Sequence, residues 1–245
     1  MVPDKKLEEF VKRMREAAGD NLESVILYGS AVAGDFHSEF SNLNLFCVLR
    51  DSSFAALQVL APVAQWWDGQ KQPPPLFMTR HELGSSTDIF TIELLDMQRH
   101  HRVLFGEDVL RGLQISLHRH HVQVEYELRE KLVLLRQQLL LASGNKSRLW
   151  GILVRSVSSF VTLFRHALMV LGQSASVGKR DTVEAIAEHL KLDVSAIHQL
   201  LDVREHKANP KTVDVNDLCA RYLTVVEQVT AAVDEALGAD ASASS

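Results

Sequence analysis

The apolar positions near the start of the chain follow first a helical and then a strand-like spacing. Leu7, Phe10 and Met14 recur at helical intervals with charged residues between them, and Gly19 follows where a helix commonly ends. Residues 25–28 and 43–49 are short apolar runs rich in branched and aromatic side chains, which is typical of buried strands. The pattern therefore predicts a helix, a strand, a corner and a returning strand.

The next segment predicts a mixture of helices and strands up to residue 112. Ser53 is a good helix N-cap for a helical pattern that follows it, and Pro62 inside that pattern predicts a kink or a restart. Residues 76–79 and 87–94 are a third and a fourth candidate strand, and residues 95–104 predict another helix. This part of the chain is thus predicted to be an α/β (α+β) domain with a mixed sheet.

Beyond residue 112 the apolar spacing is helical almost throughout. Long stripes cover residues 124–139, 149–171 and 215–233, and short polar loops separate them. Asp181, with Glu184 three residues later, predicts the N-cap of a further helix. The predicted organisation is a first domain at 1–112, a helical bundle at 113–238 and a disordered tail of small residues at 239–245.

Composition excludes several classes of protein. With 245 residues and 46% hydrophobic residues the chain can bury a sizeable core, and its formal net charge of -5 disfavours binding to long nucleic acid. Its two cysteines indicate reduced, buried thiols rather than a disulfide. We see no signal peptide and no apolar stretch of about 20 residues. We therefore expect a soluble, cytoplasmic protein without membrane contacts.

The corner between the first two predicted strands carries the main candidate chemistry. Gly29 and Ser30 follow the first strand, and residues 41–45 read Ser-Asn-Leu-Asn-Leu at the start of the second. Asn42 comes 12 residues after Ser30 (42 − 30 = 12). Because strand side chains alternate between faces, Asn42 and Asn44 are expected to share one face.

This arrangement resembles the polymerase-beta type nucleotidyltransferase superfamily, which includes the kanamycin and streptomycin adenylyltransferases. In that superfamily a Gly-Ser pair precedes an Asp-hydrophobic-Asp triplet by about this spacing, and a helical bundle commonly follows. The resemblance implies that Gly29 and Ser30 bind the phosphates of a nucleoside triphosphate, and that positions 42 and 44 hold magnesium. It also implies a third carboxylate on a later strand, for which Glu93 is the candidate.

The chain departs from the superfamily at both aspartates, which are replaced here by Asn42 and Asn44. Neutral amides in place of two carboxylates should weaken a magnesium site severely, because the ion prefers anionic oxygen ligands. The leading hypothesis is a degenerate nucleotidyltransferase that binds nucleotide without efficient transfer, a pseudoenzyme that acts in binding or regulation. Two alternatives remain: an active enzyme that uses Glu93 and magnesium to adenylylate a small molecule or protein, and an interaction module that binds no nucleotide.

Other clusters predict structure rather than chemistry. The histidines at residues 118–121 could hold a metal if His118 and His121 share a helical face, but a solvated polar face is the expected reading. Trp66 and Trp67 are expected to pack a loop onto the core. The apolar stripes of the bundle are core positions first, and they would also serve a protein partner or a homodimer.

Overall fold

The computed structural model describes residues 3–33, 41–174 and 178–243, with side chains up to residue 238. It divides into two compact units, Met1–Leu117 and His118–Ser245. The sequence placed the domain boundary earlier, at residue 112. Residues 113–117 therefore belong with the first unit, where Leu113 and Ile115 pack against one of its hydrophobic clusters.

The first unit is a four-stranded mixed sheet with helices on both faces, so the predicted fold class is confirmed. The strand order is β3-β2-β1-β4; β1 pairs antiparallel with β2 and β4, and β2 pairs parallel with β3. Its elements are α1 (Asp4–Ala18), β1 (Leu22–Tyr28), β2 (Asn44–Leu49), α2 (Phe54–Gly69), β3 (Leu76–Thr79), α3 (Arg80–Ser85), α4 (Thr91–Arg99) and β4 (His101–Gly106).

Strand alternation gives the sheet two apolar faces. On one face Leu27 and Leu45 belong to a cluster with residues of α1 and α2, in which the rings of Phe10 and Trp67 lie 4.8 Å apart. On the other face Phe46 packs in a cluster with residues of α3 and α4. Trp67 is therefore a core residue, as expected, although it lies on a helix and not on a loop.

Helix α2 continues through Pro62 to Gly69, so the helix does not restart at the proline. Ser53 caps the helix as predicted, because its side chain accepts a hydrogen bond from the Ala56 N–H. Leu60 and Val63, on either side of the proline, are buried. Packing on both sides of Pro62 compensates for the backbone hydrogen bond that proline cannot donate.

The prediction for residues 87–104 was only partly right. The predicted fourth strand is wrong, because residues 91–94 begin helix α4; the predicted helix is correct for residues 95–99, which belong to α4, and wrong for residues 101–104, which belong to strand β4. Leu94 and Met97 on α4 are buried against the sheet, and β4 fills the edge beside β1. The buried Ser24 hydroxyl lies within hydrogen-bonding distance of Phe105 O (3.1 Å) and Glu107 O (2.7 Å), which ties β1 to the end of β4.

The second unit consists of helices, as predicted for the bundle. They are α5 (His120–Leu141), α6 (Lys146–Val170), α7 (Lys179–Leu190), α8 (Ser195–Arg204) and α9 (Val215–Ala243). Helices α5, α6 and α9 pack against one another. Helix α7 begins before Asp181 and has Gly178 at its N-cap, so the predicted capping residue lies in the first turn instead. Helix α9 runs to Ala243, into the segment for which a disordered tail was predicted.

Two features of α6 and α5 differ from the sequence-based expectations. Among the described helices, α6 is long and apolar enough to cross a membrane, but 67% of its most apolar window is buried inside the protein, as in a core helix. His120 is only 5% exposed and its Nε2 lies 2.9 Å from Nδ1 of the buried His166. The expectation of a solvated face at residues 118–121 is therefore wrong for His120.

Candidate functional site

The corner after β1 is a tight turn. Gly29 to Ala31 form one turn of 3-10 helix, in which the Gly29 carbonyl accepts hydrogen bonds from the N–H groups of Val32 (2.9 Å) and Ala33 (3.1 Å). Gly29 has a φ of +79°, a backbone conformation that glycine adopts without strain. The predicted corner is present, and its continuation through residues 34–40 lies outside the described residues.

The Gly29 N–H already has a partner inside the protein. It donates to the His100 carbonyl at 3.2 Å and so extends the pairing between β1 and β4. The Gly29 N–H is therefore paired with a backbone carbonyl in this structure. Within the described part of the chain, neither the hydroxyl nor the N–H of Ser30 donates a hydrogen bond. These two groups are the corner's available hydrogen-bond donors for a phosphate.

Asn44 lies directly beside the corner. A Cβ added to Gly29 would come within 3.1 Å of Asn44 Nδ2, and Asn44 pairs with Tyr28 across β1 and β2. Leu43 and Leu45 are 1% and 2% exposed and pack toward α1 and α2. Strand alternation therefore places Asn42 and Asn44 on the opposite face, with Asn42 exposed just before β2 begins.

Glu93 was expected on a strand, and this expectation is wrong, because the residue lies in the first turn of α4. Its charge nevertheless acts on the corner. The pKa of the Tyr28 hydroxyl is raised, first by burial and then by the negative charge of Glu93. Tyr28 therefore keeps its proton at neutral pH. Because Tyr28 pairs with Asn44 across the two strands, Glu93 places a negative charge close to the corner.

The described residues at positions 42 and 44 do not fit a magnesium ion. Asn42 and Asn44 offer only neutral oxygens, and the neighbouring strand β3 contributes Leu76, Phe77, Met78 and Thr79, none of which is a carboxylate. The described part of the chain contains no group of three or more His, Cys, Asp or Glu side chains that could hold a metal ion. Magnesium in proteins is held through carboxylates and substrate phosphates.

A polar row that the sequence did not reveal crosses three strands beside the corner. Asn44, Tyr28 and His101 are paired in register on β2, β1 and β4. His101 Nε2 lies 3.0 Å from Asp108 Oδ1. Burial raises the pKa of Asp108, but the hydrogen bond and charge of His101, together with the backbone N–H groups of Arg111 and Leu110, outweigh burial and lower it. Sequence reasoning missed this row because residues 95–104 were predicted to be helical.

The first unit also has a cleft of about 1130 Å³ between α1 and β4, away from the corner. Asp4, Arg15 and Arg102 are among its lining residues, and Arg102 donates to Asp4 at 2.8 Å. Neither Gly29 nor Asn44 lines it. The cleft is therefore a separate feature and does not enlarge the candidate phosphate site.

Comparisons with known proteins support the fold. No protein-family model matches the sequence, and no curated protein matches it significantly. The structure is similar to that of spectinomycin adenyltransferase AAD(9) from Enterococcus faecialis, solved with ATP and spectinomycin, at a TM-score of 0.59 and 13% sequence identity, over 94% of this chain and 99% of that chain. At this identity the likeness establishes the architecture alone. The chain therefore has a nucleotidyltransferase-like fold: a mixed four-stranded sheet followed by a helical region.

Proposed function

We propose that the first unit is a degenerate nucleotidyltransferase-like domain that binds nucleotide phosphates at Ser30 without efficient metal-dependent transfer. The observation that carries this proposal is the position of Asn44, whose neutral side chain lies against Gly29 where the superfamily has a carboxylate. The absence of a carboxylate on the neighbouring β3 strengthens it. The chain then acts through binding or regulation.

The chemistry of nucleotidyl transfer explains why this substitution matters. Divalent metals neutralise the charge that develops on the transferred phosphoryl group and on the leaving pyrophosphate. A site made of amides holds such an ion weakly, whereas phosphate oxygens can still accept hydrogen bonds from an N–H and a hydroxyl. Loss of both carboxylates should therefore abolish nucleotidyl transfer while leaving nucleotide binding largely intact.

Thermal unfolding with ATP tests the proposal. We expect ATP to raise the melting temperature to the same extent in EDTA and in magnesium, because the proposed contacts need no metal. A ligand at 100 times its Kd stabilises the native state by about 2.7 kcal/mol. Ser30→Ala should abolish most of the shift, while Ser143→Ala, at an exposed position in the second unit, should keep it.

Two outcomes would contradict this prediction. A shift that requires magnesium would indicate the active enzyme. No shift at millimolar ATP would indicate an interaction module that binds no nucleotide.

A second candidate, an active nucleotidyltransferase, is favoured by the effect of Glu93 on Tyr28. It would use Glu93 together with substrate phosphates to hold magnesium.

Under our leading proposal, incubation with labelled ATP and magnesium transfers no label to any acceptor, in the wild-type protein or in Glu93→Gln. Labelling by the wild type that Glu93→Gln removes, and that the exposed-site control Glu188→Gln keeps, would establish the second candidate instead.

A further inference from the structure

The second unit has an open groove along the seam between α5 and α6, called here the α5–α6 groove. It has two parts of about 250 and 430 Å³ that share Gln138, Ile152 and Arg155 in their walls. On α6 the lining extends from Ser147 to Phe160. At 1.5 Å per residue this is a length of about 20 Å, or between three and four helical turns.

The α5–α6 groove is positively charged although the chain has a formal net charge of -5. Lys131, Arg148 and Arg155 line it, and neither part is lined by an aspartate or a glutamate. Lys131 forms an ion pair with Glu127 at 2.9 Å. Among the described residues, the guanidinium groups of Arg148 and Arg155 form no hydrogen bond or ion pair, so two cations remain without compensation.

The position of Arg155 depends on Gly151. A Cβ added to Gly151 would lie 3.1 Å from an Arg155 guanidinium nitrogen, so the side chain lies back along α6 in the space that a glycine leaves open. The exposed Arg155 cation therefore lies along the groove wall beside Gly151. A ligand in the groove would therefore meet a charge that is already positioned.

The remaining walls of the α5–α6 groove are apolar. Ile152 and Leu135 are 8% and 2% exposed at its base, while Leu134 and Leu141 are 45% and 72% exposed at its rim. Exposed leucines beside an apolar base are typical of a surface that another apolar side chain covers. A ligand suited to this groove therefore has both apolar and anionic groups.

Helix packing within the unit shows what such a groove accepts. Helix α9 packs against both α5 and α6 and contacts the same stretch of α6, where the Tyr222 hydroxyl lies 3.1 Å from Ser156 Oγ. The α5 and α6 pair thus already accommodates one helix. A second helix of about three to four turns would match the length of the groove.

We propose that the α5–α6 groove binds one amphipathic, acidic helix of a protein partner. Leucine-like side chains of that helix pack on Ile152 and Leu134, and its carboxylates pair with Arg148 and Arg155. A lipid surface is less suited, because the cations line a groove between two helices rather than a flat face. This proposal does not depend on nucleotide binding by the first unit.

The test measures binding of a designed peptide to the full chain. The probe is a fluorescein-labelled helical peptide of about 14 residues, with leucines on one face and glutamates beside them; in the matched peptide lysines replace the glutamates. We expect the acidic peptide to bind, to weaken as salt rises, and to lose about tenfold or more in affinity to the variant Arg148→Glu with Arg155→Glu. The control variant Lys5→Glu with Lys12→Glu has the same change in net charge on exposed positions of α1 and should bind as the wild type does.

A second variant addresses the apolar contacts. Leu134→Ser with Leu141→Ser changes two exposed side chains, so it should fold normally and bind the acidic peptide more weakly. Equal affinity of the wild type and the arginine variant, or equal binding of both peptides, would overturn the proposal. Depletion of the chain by phosphatidylserine vesicles without peptide binding would assign the groove to a membrane. A dimer in sedimentation that the arginine variant dissociates would assign it to a second copy.

Discussion

Gly106→Ala is expected to lower the free energy of unfolding of the first unit by about 2 to 5 kcal/mol, as the sum of backbone strain and overpacking. Gly106 ends β4 with a φ of +77°. An added Cβ would lie 1.9 Å from the Glu23 carbonyl oxygen and 2.9 Å from its carbonyl carbon. These are backbone atoms of β1 beside the hydrogen-bonded Ser24, so relieving the clash requires β1 or β4 to move.

Gly112→Ala is the matched control for this prediction. Gly112 has the same φ of +77°, but an added Cβ would meet nothing within 4 Å. Its cost should be limited to the backbone strain, about 1 to 2 kcal/mol. Urea unfolding in a Trp150→Phe background follows Trp66 and Trp67 of the first unit. Equal destabilisation by the two alanines would show that the close approach of β4 to β1 is absent.

Asn42→Asp combined with Asn44→Asp is expected to create a magnesium-dependent rise in melting temperature that the wild type lacks. Strand alternation places the two carboxylates on one face, where they can share an ion. In EDTA the variant should melt below the wild type, because two like charges stand close together near the charge of Glu93. At 100 times the Kd of the new site, magnesium should stabilise the variant by about 2.7 kcal/mol.

The control adds the same two charges elsewhere. Asn145→Asp and Asn216→Asp are exposed positions at the starts of α6 and α9, where aspartate is compatible with helix capping. This variant should respond to magnesium as the wild type does. A magnesium effect that is equal in both variants, or absent from both, would show that positions 42 and 44 do not form a metal site.

The first elements of the fold could be predicted because local patterns decide them. Leu7, Phe10 and Met14 are spaced so that they lie on one buried side of α1, and this spacing is enough to predict the helix. Ser53 caps α2 by accepting a hydrogen bond from the Ala56 N–H, three residues away. The Gly29–Ser30 corner is also local, since its turn closes within residues 29–33. Such interactions involve residues that are close together in the sequence, so they could be predicted from the sequence alone.

Residues 87–106 could not be predicted in the same way. Short apolar runs fit a buried helix and a strand equally well. Residues 91–99 form helix α4 because their apolar side chains pack on one face of the sheet. Residues 101–106 form strand β4 because they pair with β1. Both interactions join residues far apart in the chain. For the same reason Glu93 was placed on the wrong kind of element, and the relation of His101 to Tyr28 stayed hidden.

By itself the sequence determined the helix, strand and corner at the start of the chain, and it showed that both expected carboxylates are amides. Only the tertiary structure decided that Asn44 lies against Gly29 and that His120 is buried against His166, 46 residues away. It also decided that Arg148 and Arg155 line one groove. Consecutive residues specify a local conformation, whereas the surroundings of a side chain depend on which distant elements pack beside it.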